Sequence, residues 1–276
     1  MAKADKTARK KQAPVADEQP QETTVEFMAS LAGVLVTGLF IITFIVQTFV
    51  IPSASMENTL LIGDHVLVNR VQFAPKTSWL GPLLPYREIH RGDIVVFLHP
   101  DPEYAGTYVV KRVIGIPGDR IHLVNGVVYR NGEALQEPYI DHDGEPELTP
   151  SAEHTLDKRE QYRYDFPAVP ASDMYDLSPD WVTDEPSHLD KGELVVPPGM
   201  YFGMGDHRAV SLDSRYWGFI PRQNIIGRPL FIYWSFITPD NQYKKTSWFD
   251  QIGFLAHVII HFLDETRWRR TLQVVR

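Results

Sequence analysis

Three short segments hold the residue types that hydrolytic chemistry needs. Ile51-Pro52-Ser53-Ala54-Ser55-Met56 places two serines directly after an apolar run, and a serine hydroxyl becomes a nucleophile when a neighbouring base takes its proton. Serines also fill loops and cap helices, so this segment alone does not choose between the two. Tyr108-Val109-Val110-Lys111-Arg112-Val113-Ile114-Gly115 reads as a strand, on which Lys111 shares a face with Val109 and Val113 while Arg112 points the other way. A lysine on an apolar face either snorkels to water or loses its proton. Burial depresses a lysine pKa by up to ~3–5 from about 10.4, far enough for it to act as a base near neutral pH. Taken alone, this strand fits an edge lysine reaching solvent better than it fits a base. Gly205 to Gly218 then crowds Asp206, His207, Arg208, Ser211, Asp213 and Arg215 between two strands. Such a stretch can place a hydroxyl and an ion pair, or it can be a turn held by Asp213 and Arg215.

Other chemistries are excluded or unsupported. There is no cysteine, which removes thiolate catalysis, disulfides and cysteine-ligated metals together. The 10 histidines are scattered without an HExxH spacing. His257 and His261 stand i, i+4 in an apolar run with no acidic residue between them, so two helix-face histidines, no metal and no cofactor are expected. A net charge of −8 with no basic stripe in the body argues against nucleic acid as a partner.

The elements that must position these residues begin with a tail. Residues 1–26 are polar, with Lys3, Lys6, Arg9, Lys10 and Lys11 ahead of a Pro/Glu/Gln stretch, and are expected to be a disordered cytoplasmic tail. Residues 27–51 then run without a single charge, long enough to cross a bilayer as one helix. The basic cluster before that run predicts a cytoplasmic N-terminus, with everything after Pro52 on the far side. A cleavable signal competes, because Ser53-Ala54-Ser55 resembles a small-residue cleavage site. The run is longer than the ~7–15 residues of a signal core, which favours a retained anchor.

Beyond the anchor the pattern turns to β. Strand-length runs rich in Val, Ile and aromatics occupy Asp64–Phe73, Asp93–Leu98, Thr107–Gly115, Arg120–Val124 and Val127–Arg130, and later Glu193–Val196, Met200–Gly203 and Ile225–Phe236. Asn125-Gly126 between two of them is a strong hairpin signal. The fold class is therefore mainly β: an antiparallel or mixed sheet body over 52–140 and 192–250, interrupted by an acidic insertion at 141–191. Tyr162, Tyr164, Tyr175 and Trp181 either order that insertion on the body or dot a flexible surface loop. In the last segment, 251–276, Ile252–Leu263 is apolar apart from its histidines and is too short for a second crossing. With Trp268 among Arg267, Arg269 and Arg270, it suits either a membrane surface or a helix packed on the protein's own sheet.

Four segments in order resemble the bacterial type I signal peptidases, the leader peptidase family. Ser53 to Asp64 resembles the family's nucleophile segment, Arg91 to Phe97 its next box, Tyr108 to Asp119 the box that carries a catalytic lysine, and Gly205 to Pro221 the last. The resemblance implies that Ser55 is the nucleophile and Lys111 the general base. It also implies that Ser53 lends its hydroxyl to an oxyanion hole, that Ser211 hydrogen-bonds and orients Lys111, and that Asp213 and Arg215 form a supporting ion pair. The implied substrates are preproteins cut after small residues at positions −1 and −3, with Ile51 and Met56 among the pocket residues. The lipid bilayer and the export translocon are the other implied partners, and the cytoplasmic membrane the location. The chain departs from the family at Asn58, where proline is usual, and at His207, Ala209 and Val210, where Asn, Asp and Asn are common. Two rivals remain. A protease acting on its own chain is disfavoured by the anchor. A catalytically silent, membrane-tethered binding or assembly module is disfavoured by the presence of Ser55, Lys111 and Ser211 together.

Overall fold

The computed structural model describes residues 23–74, 86–141, 157–174, 177–239, 242–245 and 247–276. Most of the expected N-terminal tail, residues 142–156 of the acidic insertion, and Tyr175 lie outside the described residues. The chain divides into two compact units, Met1–Ile41 and Ile42–Arg276.

In the first unit the helix α1 (Thr24–Phe40) starts in a capping box, in which Thr23 and Glu26 satisfy each other's backbone N–H groups. None of its residues is buried. The winding continues as a wider turn through Ile41–Ile45, so that Thr24–Ile45 has the length and apolar composition of a membrane-crossing helix. The single helix expected over 27–51 is corrected here: Val46–Val50 is a strand. Val46, Thr48, Phe49 and Val50 are β-branched or aromatic, types that favour a pleated surface, and they pair residue by residue with the strand that begins at Asp64.

In the second unit the strands run in chain order as β1 (Val46–Val50), β2 (Asp64–Asn69), β3 (Ile94–Leu98), β4 (Tyr108–Gly115), β5 (Arg120–Val124), β6 (Val127–Arg130) and β7 (Glu133–Ala134). After the helices α2 (Lys158–Tyr164) and α3 (Pro179–Asp184) come β8 (Leu189–Asp190), β9 (Glu193–Val195), β10 (Met200–Met204), the short helix α4 (Ser214–Trp217), β11 (Ile220–Pro221) and β12 (Ile225–Ser235). The helix α5 (Trp248–Ile260) and β13 (Gln273–Val274) complete the order. Two sheets result, β1-β2-β12-β3-β4-β10-β11 with β13 beside β12, and β7-β6-β5-β9-β8. All of these strand pairs are antiparallel. The β5–β6 hairpin turns at Asn125-Gly126, both at positive φ (49° and 78°), the twist that a two-residue hairpin loop requires.

The eleven-residue β12 joins the halves of the larger sheet, pairing β3 through Ile225–Gly227 and β2 from Arg228 onward. Register shifts around Pro229 let it bend, and proline's missing N–H is tolerated at such a break. Both faces of β3 are buried: Val95 and Phe97 join the larger core, and Ile94 and Val96 the smaller. The smaller core also holds Ile51, Met56 and Leu60, so it lies directly beneath the serine-bearing loop. In the insertion, Tyr162 and Trp181 are buried in the larger core beside Phe202 and Phe219.

Candidate active site

The chain from Ile51 to Asp64 is a loop tied at its base. Ile51 N–H donates to Asp64 O at 2.9 Å and Gly63 N–H to Ile51 O at 3.0 Å. Buried Asp64 is a clamp, accepting from Leu61 N–H, from the Ser235 hydroxyl and from Arg270 at 2.6 Å. Arg267 donates to Ile62 O at 2.9 Å and Arg270 to Thr59 O at 3.0 Å. These two arginines therefore point into the protein, the second of the two placements open to this segment, while Trp268 and Arg269 stay exposed. The physical reason is Asp64, a buried carboxylate that needs cationic partners.

Within this loop Ala54–Met56 forms a single 3₁₀ turn, with Ser53 extended before it. The turn presents Ser55 to β4, where Lys111 Nζ lies 2.7 Å from Ser55 Oγ. Lys111 is 3% exposed. Burial pushes its ammonium down to about 8, opposed by Asp213 and assisted by Arg215. Space for its stem comes from Gly203 across the strand pair, where an added Cβ would stand 3.2 Å from Lys111 Cβ. The edge-lysine alternative fails because both neighbours of β4 in the sheet are present, β3 on one side and β10 on the other.

Arg112 points the other way, and its partner was not legible in the sequence. It makes two hydrogen bonds to Asp206, at 2.8 and 2.7 Å, with both side chains buried. Asp206 also accepts from the Thr59 hydroxyl, so this buried pair fixes the far end of the serine loop. The alternation of β4 and an aspartate in the glycine-rich segment were the available signals. His207 N–H donates to Ser55 O at 3.3 Å, and an added Cβ at Gly205 would lie 2.3 Å from both Ser55 O and Ser211 Oγ. Glycine is required there by close approach.

The remaining site residues fall around the same centre. Asp213 and Arg215 form a fully buried two-point ion pair, with bonds of 2.8 Å from Nε and from Nη2. Burial alone would raise the Asp213 carboxyl, yet the Arg215 guanidinium holds it below the usual carboxylate range. Ser211 is buried near Ser55, but its hydroxyl makes no hydrogen bond among the described residues. The expected bond to Lys111 is therefore not formed in this arrangement, in which the Lys111 Nζ bond goes to Ser55 Oγ. Ser53, Ile51 and Met56 line one cleft of about 560 Å³ together with Ser55 and Lys111. Val210 and Leu212, more than half exposed, line it too and were not expected from the sequence. Asn58 has φ 78° and donates to Tyr139 O at 3.2 Å. Proline's ring forbids that φ, so this departure comes with a backbone of its own.

Residues 24–234 match the family described as signal peptidase, peptidase S26. A probable signal peptidase I-2 from Synechocystis sp. is 29% identical over 231 residues, covering 83% of this chain and 79% of its own. Signal peptidase I from Aquifex aeolicus is 33% identical over 224 residues, covering 73% and 81%. A crystal structure of a signal peptidase I from Enterococcus faecalis V583 is 31% identical, spans 51% of this chain and 97% of that one, and superposes with a TM-score of 0.33. The chain belongs to the signal peptidase family, peptidase S26.

Proposed function

We propose that this protein is a membrane-anchored serine endopeptidase that removes signal peptides from exported preproteins, with Ser55 as nucleophile and Lys111 as general base. The observation that carries the reading is the 2.7 Å contact between Lys111 Nζ and Ser55 Oγ, inside a wall of apolar strands that lowers the lysine pKa to about 8. Neutral Lys111 takes the Ser55 proton as Oγ attacks the scissile carbonyl carbon, and the resulting ammonium returns that proton to the leaving amine. The mature protein leaves as that amine; Lys111 then deprotonates water, which hydrolyses the ester on Ser55, releases the signal peptide as a carboxylic acid and returns a proton to Ser55 Oγ. The Ser53 hydroxyl and the Ser55 N–H supply the oxyanion donors. Ser211 orients Lys111 once Ser55 Oγ is bonded to substrate and no longer holds the amine. Asp213 and Arg215 support the wall behind them.

The substrate preference for small residues at −1 and −3 fits a cleft walled by Ile51, Met56, Val210 and Leu212. Thr24–Ile45 provides the anchor in the cytoplasmic membrane, with the residues before it in the cytoplasm and the catalytic body on the exported side. There it meets preproteins leaving the translocon. The exposed apolar residues of α5, among them Trp248, Phe249 and Leu255, together with Trp268 beyond it, rest on the lipid surface. The test is cleavage of preproteins by the full-length protein in detergent, with Ala or Trp at −1. Cutting after Ala-X-Ala and not after Ala-X-Trp is expected. No cleavage of either substrate makes the protein a membrane-tethered binding module.

A further inference from the structure

Beyond the cleft, one cluster of ligating side chains is used by none of the chemistry above. His257 lies in the last turn of α5 and His261 at its C-cap, and their ring centroids are 4.5 Å apart. The acidic residue missing between them arrives from the turn that follows: His257 Nε2 is 2.8 Å from one oxygen of Glu265, and His261 Nδ1 is 3.9 Å from the other. Asp264 stands beside them, its Oδ2 2.9 Å from His261 Nδ1.

We infer that His257, His261 and Glu265, with water in the fourth position, form a binding site for a divalent transition metal ion of the zinc type. Two ligands of a tetrahedral ion with bonds of ~2.0–2.1 Å stand ~3.3 Å apart, and the separations of 2.8 and 3.9 Å to Glu265 bracket that figure. Two imidazoles and one carboxylate suit zinc, whereas calcium and magnesium call for six or more oxygens. The site sits at the C-terminal end of α5, where unpaired carbonyls favour a cation. It is also partly pre-formed. His257 packs against Phe254 and Phe236, and the residues after Glu265 are pinned by Ile237 N–H to Glu265 O at 3.0 Å and Arg267 N–H to Ser235 O at 2.8 Å. The three side chains remain 26–41% exposed, so an ion reaches them from solvent. Bound there, it would staple the end of α5 to the segment whose Arg267 and Arg270 hold the serine loop.

The test is titration of the EDTA-treated, full-length protein with Zn²⁺ against a colorimetric chelator, alongside melting temperatures. Wild type is expected to bind one ion at micromolar concentration or tighter and to melt higher with zinc than without. H257Q/H261Q and, separately, Glu265→Gln should lose at least about 100-fold in affinity, the upper end of what a lost outer-shell partner costs, and lose the zinc-induced rise. Glu265→Gln keeps a hydrogen-bond acceptor and decides the matter if the double variant melts early without metal. Wild type that takes zinc only at millimolar concentration, or variants that bind as tightly as wild type, would overturn the site and leave a hydrogen-bonded helix cap. The peptidase reading is untouched by either result.

Discussion

Lys111 and Asp213 are both buried, yet no hydrogen bond joins them. The lysine's bond goes to Ser55 Oγ, and both Asp213 oxygens are taken by Arg215. This division sets the lysine's chemistry. A free buried carboxylate would hold Lys111 protonated, whereas one already paired with a guanidinium leaves burial as the dominant influence, and the amine titrates at about 8.

A pH profile follows from that value. The neutral amine is the active form, so kcat/KM should rise tenfold per pH unit below about 8 and level off above it. At pH 7 about one molecule in ten carries the neutral amine. A profile measured between pH 6 and 10 that is flat, or that falls through pH 8, contradicts the role of Lys111.

Ser53→Ala tests the oxyanion hole. Removing one oxyanion donor costs ~10²–10³ in kcat, while Ser53 is exposed and outside both cores, so the melting temperature should not move. An unchanged kcat would leave the backbone N–H of Ser55 as the whole of the hole.

The Asp213–Arg215 pair should behave as a buried unit. Asp213→Asn or Arg215→Met strands its partner without a counter-charge, at ~3–5 kcal/mol of stability. Denaturant unfolding checks this. A loss below about 1 kcal/mol would place the pair with surface ion pairs, which are worth that much or less.

Glu185 gives the fold a pH dependence of its own. It is buried, accepts from the Tyr162 hydroxyl at 3.1 Å and from Ala171 N–H at 3.2 Å, and burial pushes its carboxyl up to about 7. The folded state therefore holds a proton that the unfolded chain releases near pH 4.5. Stability from this group is complete below that pH and is lost as pH rises through about 7. Glu185→Gln should flatten the slope of unfolding free energy between pH 5 and about 7; an equal slope in the variant would contradict it.

Much of this site is legible in the chain because its parts are local. Asn125-Gly126 marks the hairpin, and the strand β4 puts Lys111 and Arg112 on opposite faces by alternation alone. What remains hidden depends on partners far away in sequence. Val46–Val50 reads as the end of an apolar helix until β2 is present to pair with it. Arg267 and Arg270 fit a membrane surface and a packed helix equally well until buried Asp64 claims them. Arg112 lies 94 residues from Asp206, and no periodicity links the two. Ser211 shows the opposite limit: resemblance supplies a hydrogen bond to Lys111 that this arrangement does not make.

The most direct measurement of the Ser55–Lys111 chemistry is cleavage of a preprotein bearing Ala-X-Ala by wild type, Ser55→Ala and Lys111→Met, with each variant's melting temperature recorded. Wild type is expected to cut once after the small residue at −1, and both variants to stay folded with no turnover above background. A folded Lys111→Met that retains the wild-type rate would contradict this chemistry.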